Sequence, residues 1–462
     1  MSLRIHSLKG DRSQRLQRDD LVQFFHDHAK GPERWMVGGE FEKIVVTRST
    51  GQQLPYRGDG GIADLLCRIA SRFGWERHYE GEDVVALMRA TPCEGGGAGR
   101  STITLEPGGQ IELATPPCRS LHTLNRELTV HRDELRAVIA GEDMAVLATG
   151  LSPFSVVAEL GMTSRERHKI MARYLPQKGH LALHMMKATA SVQVALDYAS
   201  EADARDKFFT ALALSPVCTA LFANSPLLEG KDSGLVSFRG RVWQHTDPDR
   251  SGLLEGVVGD GAFSFEGWVD YLLDVPMMFY AIDDRWQDAH GRTFRSWMED
   301  GHDGVFPNIE DWEIHLTSVF PEVRLKQFVE VRGADAVRPD LALAFPGMWK
   351  GIFYDAAALD AALQLAREVG VGHREALFEA AITEGLRATH RGRTLGAWAH
   401  ELLTIARDGL GRQVESLGVK DERAFLDRAL EVAEGGASPG EAIRDLYHQG
   451  LSVPELVDAM EY

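Results

Sequence analysis

The sequence predicts an α+β fold, and three observations predict it. Strand-like and helix-like segments are mixed without strict β–α–β alternation, which disfavours a doubly wound parallel sheet. Four short segments alternate polar and apolar side chains with period two: Gly39–Lys43, Leu105–Leu113, Thr189–Asp197 and Phe328–Arg332. From about residue 355 onward almost everything reads helical, broken near Gly370–Gly372, Gly435–Gly440 and Gly450.

The elements follow in order. Residues 18–30 predict a helix, because Asp19 and Asp20 can cap it and Leu21, Phe24, Phe25 and His28 recur at helical spacing. A strand is expected at 35–47 and a helix at about 61–73. Cys93–Arg100, with Gly95, Gly96, Gly97 and Gly99, reads as a hairpin-like connection into a strand at 101–113. Within that strand Pro107-Gly108-Gly109 predicts a bulge or a close backbone approach to a ligand. It is not a Walker loop, since no Lys-Ser/Thr follows. A helix at 121–141 comes next, then a polar stretch from Thr163 to Arg173 that leads into a strand at 186–198. Residues 201–224, rich in Ala, Leu and Phe, predict a buried helix.

Residues i and i+2 of a strand share a face, so Glu40/Glu42, Gln110/Glu112, Gln193 and Glu330/Arg332 can each line one side of a sheet. A single such pair is usually a solvated face; four in one chain point to a site. Carboxylates gathered there repel one another unless cations sit among them. Hard oxygen ligands suit Mg²⁺, which proteins usually hold with carboxylates and substrate phosphates.

Composition fits an enzyme with a large core: 462 residues, 44% hydrophobic. The net charge of −18 argues against nucleic acid or an anionic membrane as partner. No stretch approaches the roughly 20 apolar residues of a membrane span. The amino-terminal MSLRIHSLKGDRSQR has no apolar core, so no secretory signal is expected. Four cysteines (Cys67, Cys93, Cys118, Cys218) lack metal or disulfide spacing and suit a reducing cytoplasm. The 17 histidines, His180 and His184 among them, form no H-E-x-x-H motif, so no zinc site is expected.

Six strings carry a family resemblance: GGEFEK, TLEPGGQIEL, TASVQVALDY, ALFANSPLLEGK, WQHTDPDRSG and HLTSVFPEVRLKQFVEVRGAD. The chain resembles the plant-type glutamate–cysteine ligases from about residue 20 to the end, thinning after 350. The resemblance implies a glutamine-synthetase-like curved, mostly antiparallel sheet with helices outside. It implies a catalytic core over 1–350 and a helical region, 351–462, packed on it. The implied reaction joins the γ-carboxyl of glutamate to cysteine through an acyl phosphate made from ATP, for glutathione or ergothioneine synthesis. Glu40, Glu42, Glu106, Glu112, Gln193 and Glu330 take the Mg²⁺ role, Glu40 and Arg332 the catalytic one. Arg332 would stabilise the transferring phosphoryl group. Arg167, Arg173, Arg239 and Trp243 are candidates for the amino-acid substrate, since a guanidinium pairs well with a carboxylate. Asp247, Asp249 and Arg250 in TDPDR read as a loop closing over the substrate, with Arg250 toward the nucleotide. The expected protein is a cytoplasmic monomer or weak homodimer acting on small molecules.

The chain departs from the family pattern at Ala188 and Ala195, where an arginine and an asparagine are usual, and at Gly39 and Phe41. An arginine at 188 could bind a substrate carboxylate, worth about 1.5–3 kcal/mol. The departures leave open a ligase of the same fold with a different acid or amine. The cysteine pairs of the plant enzymes are absent, so thiol control of that kind is not expected.

Overall fold

Alternation of buried apolar and cleft-facing polar residues builds the central sheet of this computed structural model, which describes residues 12, 15–92, 98–254, 263–282 and 285–462. Its strands are β1 (Val37–Thr47), β2 (Glu76–Glu80), β3 (Asp83–Pro92), β4 (Ala98–Leu105), β5 (Ile111–Ala114), β6 (Met144–Leu147), β7 (Ser191–Leu196), β8 (Val323–Leu325) and β9 (Val329–Asp335). Their order is β8-β9-β7-β1-β5-β4-β3-β2, with β6 beside the second half of β1. Every pairing within it is antiparallel.

The helices that position the site are α1 (Arg18–Asp27), α2 (Ile62–Phe73), α3 (Leu121–Ile139), α4 (Glu166–Tyr174), α5 (Ala182–Ala188), α6 (Glu201–Leu221), α7 (Phe238–Gln244), α8 (Ile309–Leu316), α9 (Ala344–Phe353), α10 (Ala356–Val369) and α11 (Leu395–Leu417). α6 is capped by Ser200, whose side chain accepts from the Asp203 N–H, and is buried along its whole second half. It packs on β9, α10 and α11. Phe41, Val45, Val192, Val194, Val329 and Val331 share one core with Trp349, Phe353, Leu363 and Leu402. Residue 350 therefore falls inside α9, and the helices beyond it complete the core of the sheet. A second apolar group, including Ile170, Met171, Met185, Val242, Trp243 and Phe279, lies under α4, α5 and α7.

Three expected elements differ. The run at 101–113 is not one bulged strand: β4 ends at Leu105, β5 begins at Ile111, and Glu106–Gln110 turns between them. The Gly109 N–H bonds the Glu106 carbonyl at φ +90°, which glycine adopts without strain. A Cβ on Gly108 would lie 2.1 Å from the Lys187 carbonyl oxygen, so the close approach is to this chain's own backbone. The strand expected from 186 begins only at Ser191, because α5 runs through Ala188 and the Thr189 hydroxyl bonds back to the Met185 carbonyl. The polar stretch before it is largely helical, as α4. Of the glycine-rich connection, residues 93–97 lie outside the described residues, while Ala98 and Gly99 already pair with β3. No helix among the described residues is long and apolar enough to cross a membrane.

Cys118 and Cys218 are buried and Cys67 is half-buried; Cys93 lies outside the described residues. Burial pushes the Cys218 thiol up, away from the reactive thiolate. Activity and melting temperature are therefore expected not to respond to dithiothreitol or mild oxidant, beyond direct oxidation of a thiol substrate. A redox midpoint in activity that disappears in Cys67→Ala or Cys118→Ala would contradict this.

Candidate functional site

β1 contributes Glu40 and Glu42 to the open face of the sheet, and its neighbours bring their partners into register. Glu42 lies opposite Glu112 of β5, and Glu40 opposite Gln193 of β7. The turn after β4 adds Glu106. Carboxylate oxygens of Glu42, Glu106 and Glu112 lie within 4.8 Å of one another. Glu42 accepts from the Ser191 N–H at 2.7 Å and from Gln193 Nε2 at 2.9 Å; Glu112 accepts from the Thr104 hydroxyl at 2.8 Å. Burial and the neighbouring Glu112 carboxylate push Glu42 up to about 7. Burial, then Glu42 and Glu112, hold Glu106 well above the usual carboxylate range. Three desolvated, mutually repelling oxygen donors fit a hard divalent cation such as Mg²⁺.

The raised Glu42 carboxyl makes stability depend on pH. A carboxyl whose value rises from 4.5 to about 7 on folding stabilises the protein fully below 4.5, and that contribution is lost as pH rises through 7. Mg²⁺ bound there would oppose the loss, so the gain in melting temperature on adding Mg²⁺ is expected to be larger at pH 8 than at pH 6. Thermal melts across that range check it; a gain independent of pH would contradict it.

A second cluster stands beside the first. Burial alone would raise Glu330, but Arg324, Lys326 and Arg332 hold it well below the usual range. Arg324 Nε donates to Glu330 Oε2 at 2.6 Å, Lys326 Nζ to Oε1 at 2.9 Å and Arg332 to Oε2 at 3.2 Å. Arg332 also donates to Gln193 Oε1, joining the two clusters. On a third side, Arg167 is buried over the rings of Phe279 and Trp286, at 5.1 and 5.7 Å, and donates to the Thr317 hydroxyl at 3.1 Å. Burial, then Arg165, lower it to about 9. The guanidiniums of Arg239 and Arg332 lie 5.8 and 5.9 Å from the Trp243 ring.

These groups border a cleft of about 870 Å³. Of the residues expected from sequence, Glu40, Glu42, Glu106, Glu112, Gln193, Arg167, Arg239, Trp243 and Arg332 line it. Glu330 sits just beneath, 2% exposed and paired to its three cations. Two expected residues are elsewhere. Arg173 points outward, its side chain 56% exposed and 3.9 Å from Asp288. Arg250 is fully buried: it pairs with Asp247 at 2.6 Å and donates to the Ser318 and Pro276 carbonyls and the Tyr174 hydroxyl, so it fastens the TDPDR loop rather than reaching a nucleotide. Gln110 lies in the turn and donates to the Thr189 carbonyl at 2.8 Å. Ala188 packs fully buried in the second apolar group, while Ala195 shares the face of Gln193 opposite Glu330.

Arg324 and Lys326, not expected from the sequence, line the cleft together with Ser191 and Thr317. The signal was present in VRLKQFVEVR: residues 324, 326, 330 and 332 are all even-numbered and meet on one face of a hairpin.

An antiparallel sheet that sets clustered carboxylates against guanidiniums is suited to ATP-dependent carboxylate–amine ligation. Residues 36–459 match Glutamate-cysteine ligase family 2 (GCS2), and the chain belongs to that family. It is 38% identical over 452 residues to the chloroplastic glutamate–cysteine ligase of Nicotiana tabacum, covering 97% of this chain and 83% of that protein. The enzyme of Arabidopsis thaliana is 37% identical over the same shares. Among solved structures, the glutamate–cysteine ligase of Francisella tularensis in complex with AMP superposes with a TM-score of 0.55 over 92% of this chain and 87% of that one; at 14% identity this shows the fold. The cytoplasmic location expected from cysteine usage is corrected by these comparisons, since the curated relatives are chloroplastic proteins.

Proposed function

We propose that this enzyme joins the γ-carboxyl group of L-glutamate to the amine of L-cysteine, with ATP and Mg²⁺, giving γ-glutamylcysteine, ADP and phosphate. The observation that carries the reading is the pairing in one cleft of a three-carboxylate cluster with the arginines Arg332, Arg239 and Arg167. Its relatives' activity supports the choice of substrates.

Glu42, Glu106 and Glu112, with Glu40 and Gln193 alongside, would hold Mg²⁺. Bound there, the metal would neutralise phosphate charge. Arg332 has a guanidinium fork suited to phosphoryl oxygens, and its bonds to Glu330 and Gln193 limit its motion before substrate arrives. Arg239 and Arg167 are suited to the donor's α-carboxylate. A γ-carboxylate oxygen attacks the γ-phosphorus and ADP leaves; the cysteine nitrogen then attacks the acyl carbon, phosphate leaves and the nitrogen loses its proton. The acyl phosphate must be kept from water, and Met171, Met185, Trp243, Ile314 and Phe320 supply an apolar wall.

Trapping tests the acyl phosphate directly. With hydroxylamine replacing cysteine, glutamate, ATP and Mg²⁺ are expected to yield γ-glutamyl hydroxamate and equimolar ADP. Absence of both with glutamate, but formation with another acid, would overturn the donor assignment.

A further inference from the structure

The string ALFANSPLLEGK, residues 220–231, is among the most specific in the chain, yet none of its residues lines the cleft. Its hydrogen bonds converge instead on Asp335, whose side chain is 1% exposed. The Asn224 N–H donates to Asp335 Oδ2 at 2.8 Å and the Ser225 hydroxyl to the same oxygen at 2.6 Å. The Ser237 hydroxyl donates to Oδ1 at 3.0 Å. The Asn224 side chain ties this knot to the carbonyls of Ala148 and Ala336, at 2.7 and 2.9 Å. Gly150 closes the other side, where a Cβ would lie 2.4 Å from Asp335 Cγ.

Facing these donors is a guanidinium. Arg239 Nη1 lies 3.6 Å from Asp335 Oδ1, with the arginine side chain 4% exposed. Its Nη2 donates to the Arg332 carbonyl at 3.0 Å. The register of β9 shifts between Val331 and Ala334, so Arg239 spans that irregularity, one arm toward Asp335 and the other on the residue that reaches the cleft. A guanidinium already held in place loses less freedom when it takes up a carboxylate than a free one does.

We propose that Asp335, fixed by Asn224, Ser225 and Ser237, is the positioning residue that sets Arg239 for the α-carboxylate of the acid substrate. The inference rests on the reading of Arg239 as a substrate ligand. It also gives the ANSP segment a role: holding one carboxylate still behind the site.

A double-mutant cycle tests it, with KM for glutamate, KM for ATP, kcat and melting temperature measured for wild type, Asp335→Asn, Arg239→Gln and the double variant. Arg239→Gln is expected to raise the glutamate KM about 10-fold or more. Asp335→Asn is expected to raise it about 10-fold as well, with kcat and the ATP KM within about 3-fold of wild type. The double variant is expected to be no worse than Arg239→Gln alone, because Asp335 acts through that side chain. Multiplicative effects in the double variant, or an Asp335→Asn loss confined to kcat and melting temperature, would overturn the positioning role. An unchanged glutamate KM in Arg239→Gln would overturn the substrate reading of Arg239 and the inference with it. Should Asp335→Asn not fold, Ser225→Ala and Ser237→Ala carry the same test: each is expected to raise the glutamate KM about 3-fold, and no rise in either would overturn the proposal.

Discussion

Glu112→Ala is expected to abolish turnover, lowering kcat by about 10³-fold or more at saturating Mg²⁺, while the protein still folds. Glu112 is 2% exposed and lies in register with Glu42, with Glu106 within 4.8 Å. Losing one of three clustered oxygen ligands removes several kcal/mol of charge stabilisation from the transition state, and each 1.36 kcal/mol is about tenfold in rate. The same substitution relieves repulsion in the metal-free protein, so its melting temperature is expected to hold or rise in the absence of Mg²⁺. Glu40→Ala and Glu330→Ala are expected to lose turnover as well, but Glu330→Ala also strands Arg324 and Lys326 and is expected to lower stability. Steady-state rates with melts on the same preparations decide this. Near-wild-type rates in all three variants would contradict the assignment of the carboxylate face.

Arg332→Gln is expected to lower kcat by about 10³-fold, the scale on which a guanidinium stabilises a transferring phosphoryl group. Arg332 links Glu330 to Gln193, and Arg324 and Lys326 remain on Glu330 when it is removed, so the variant is expected to fold. Arg332→Lys is expected to recover little, because an ammonium cannot donate to both partners and a phosphoryl oxygen from one planar fork. Full recovery in the lysine variant, measured as kcat, would show that only charge is needed there.

Period-two alternation made the carboxylate-bearing face of the sheet legible, since a strand leaves its side chains no third direction. Glu40, Glu42, Glu112 and Gln193 meet because antiparallel register sets Glu42 against Glu112 and Glu40 against Gln193. The turn was less legible. Leu105–Leu113 has strand-like residues at both ends, and only the Pro107-Gly108-Gly109 interruption marks where the chain reverses. Arg324 and Lys326 were missed because β8 is three residues long, too short for alternation to register. Arg250 was misplaced for the opposite reason: its string is specific, but its partners Tyr174, Pro276 and Ser318 are far apart in sequence, and only the fold brings them around it. The strong strand-forming run after Ala188 predicts strand there too, whereas α5 holds that residue in its last turn.

In the proposed reaction one cleft couples ATP cleavage to amide formation between glutamate and cysteine. Counting ADP against γ-glutamylcysteine by mass spectrometry, with each amino acid omitted in turn, tests it most directly. One dipeptide per ADP is expected, with loss of the dipeptide when either amino acid or Mg²⁺ is left out. ADP formed with no γ-glutamylcysteine when both amino acids are present, or a different amide as the main product, would contradict it.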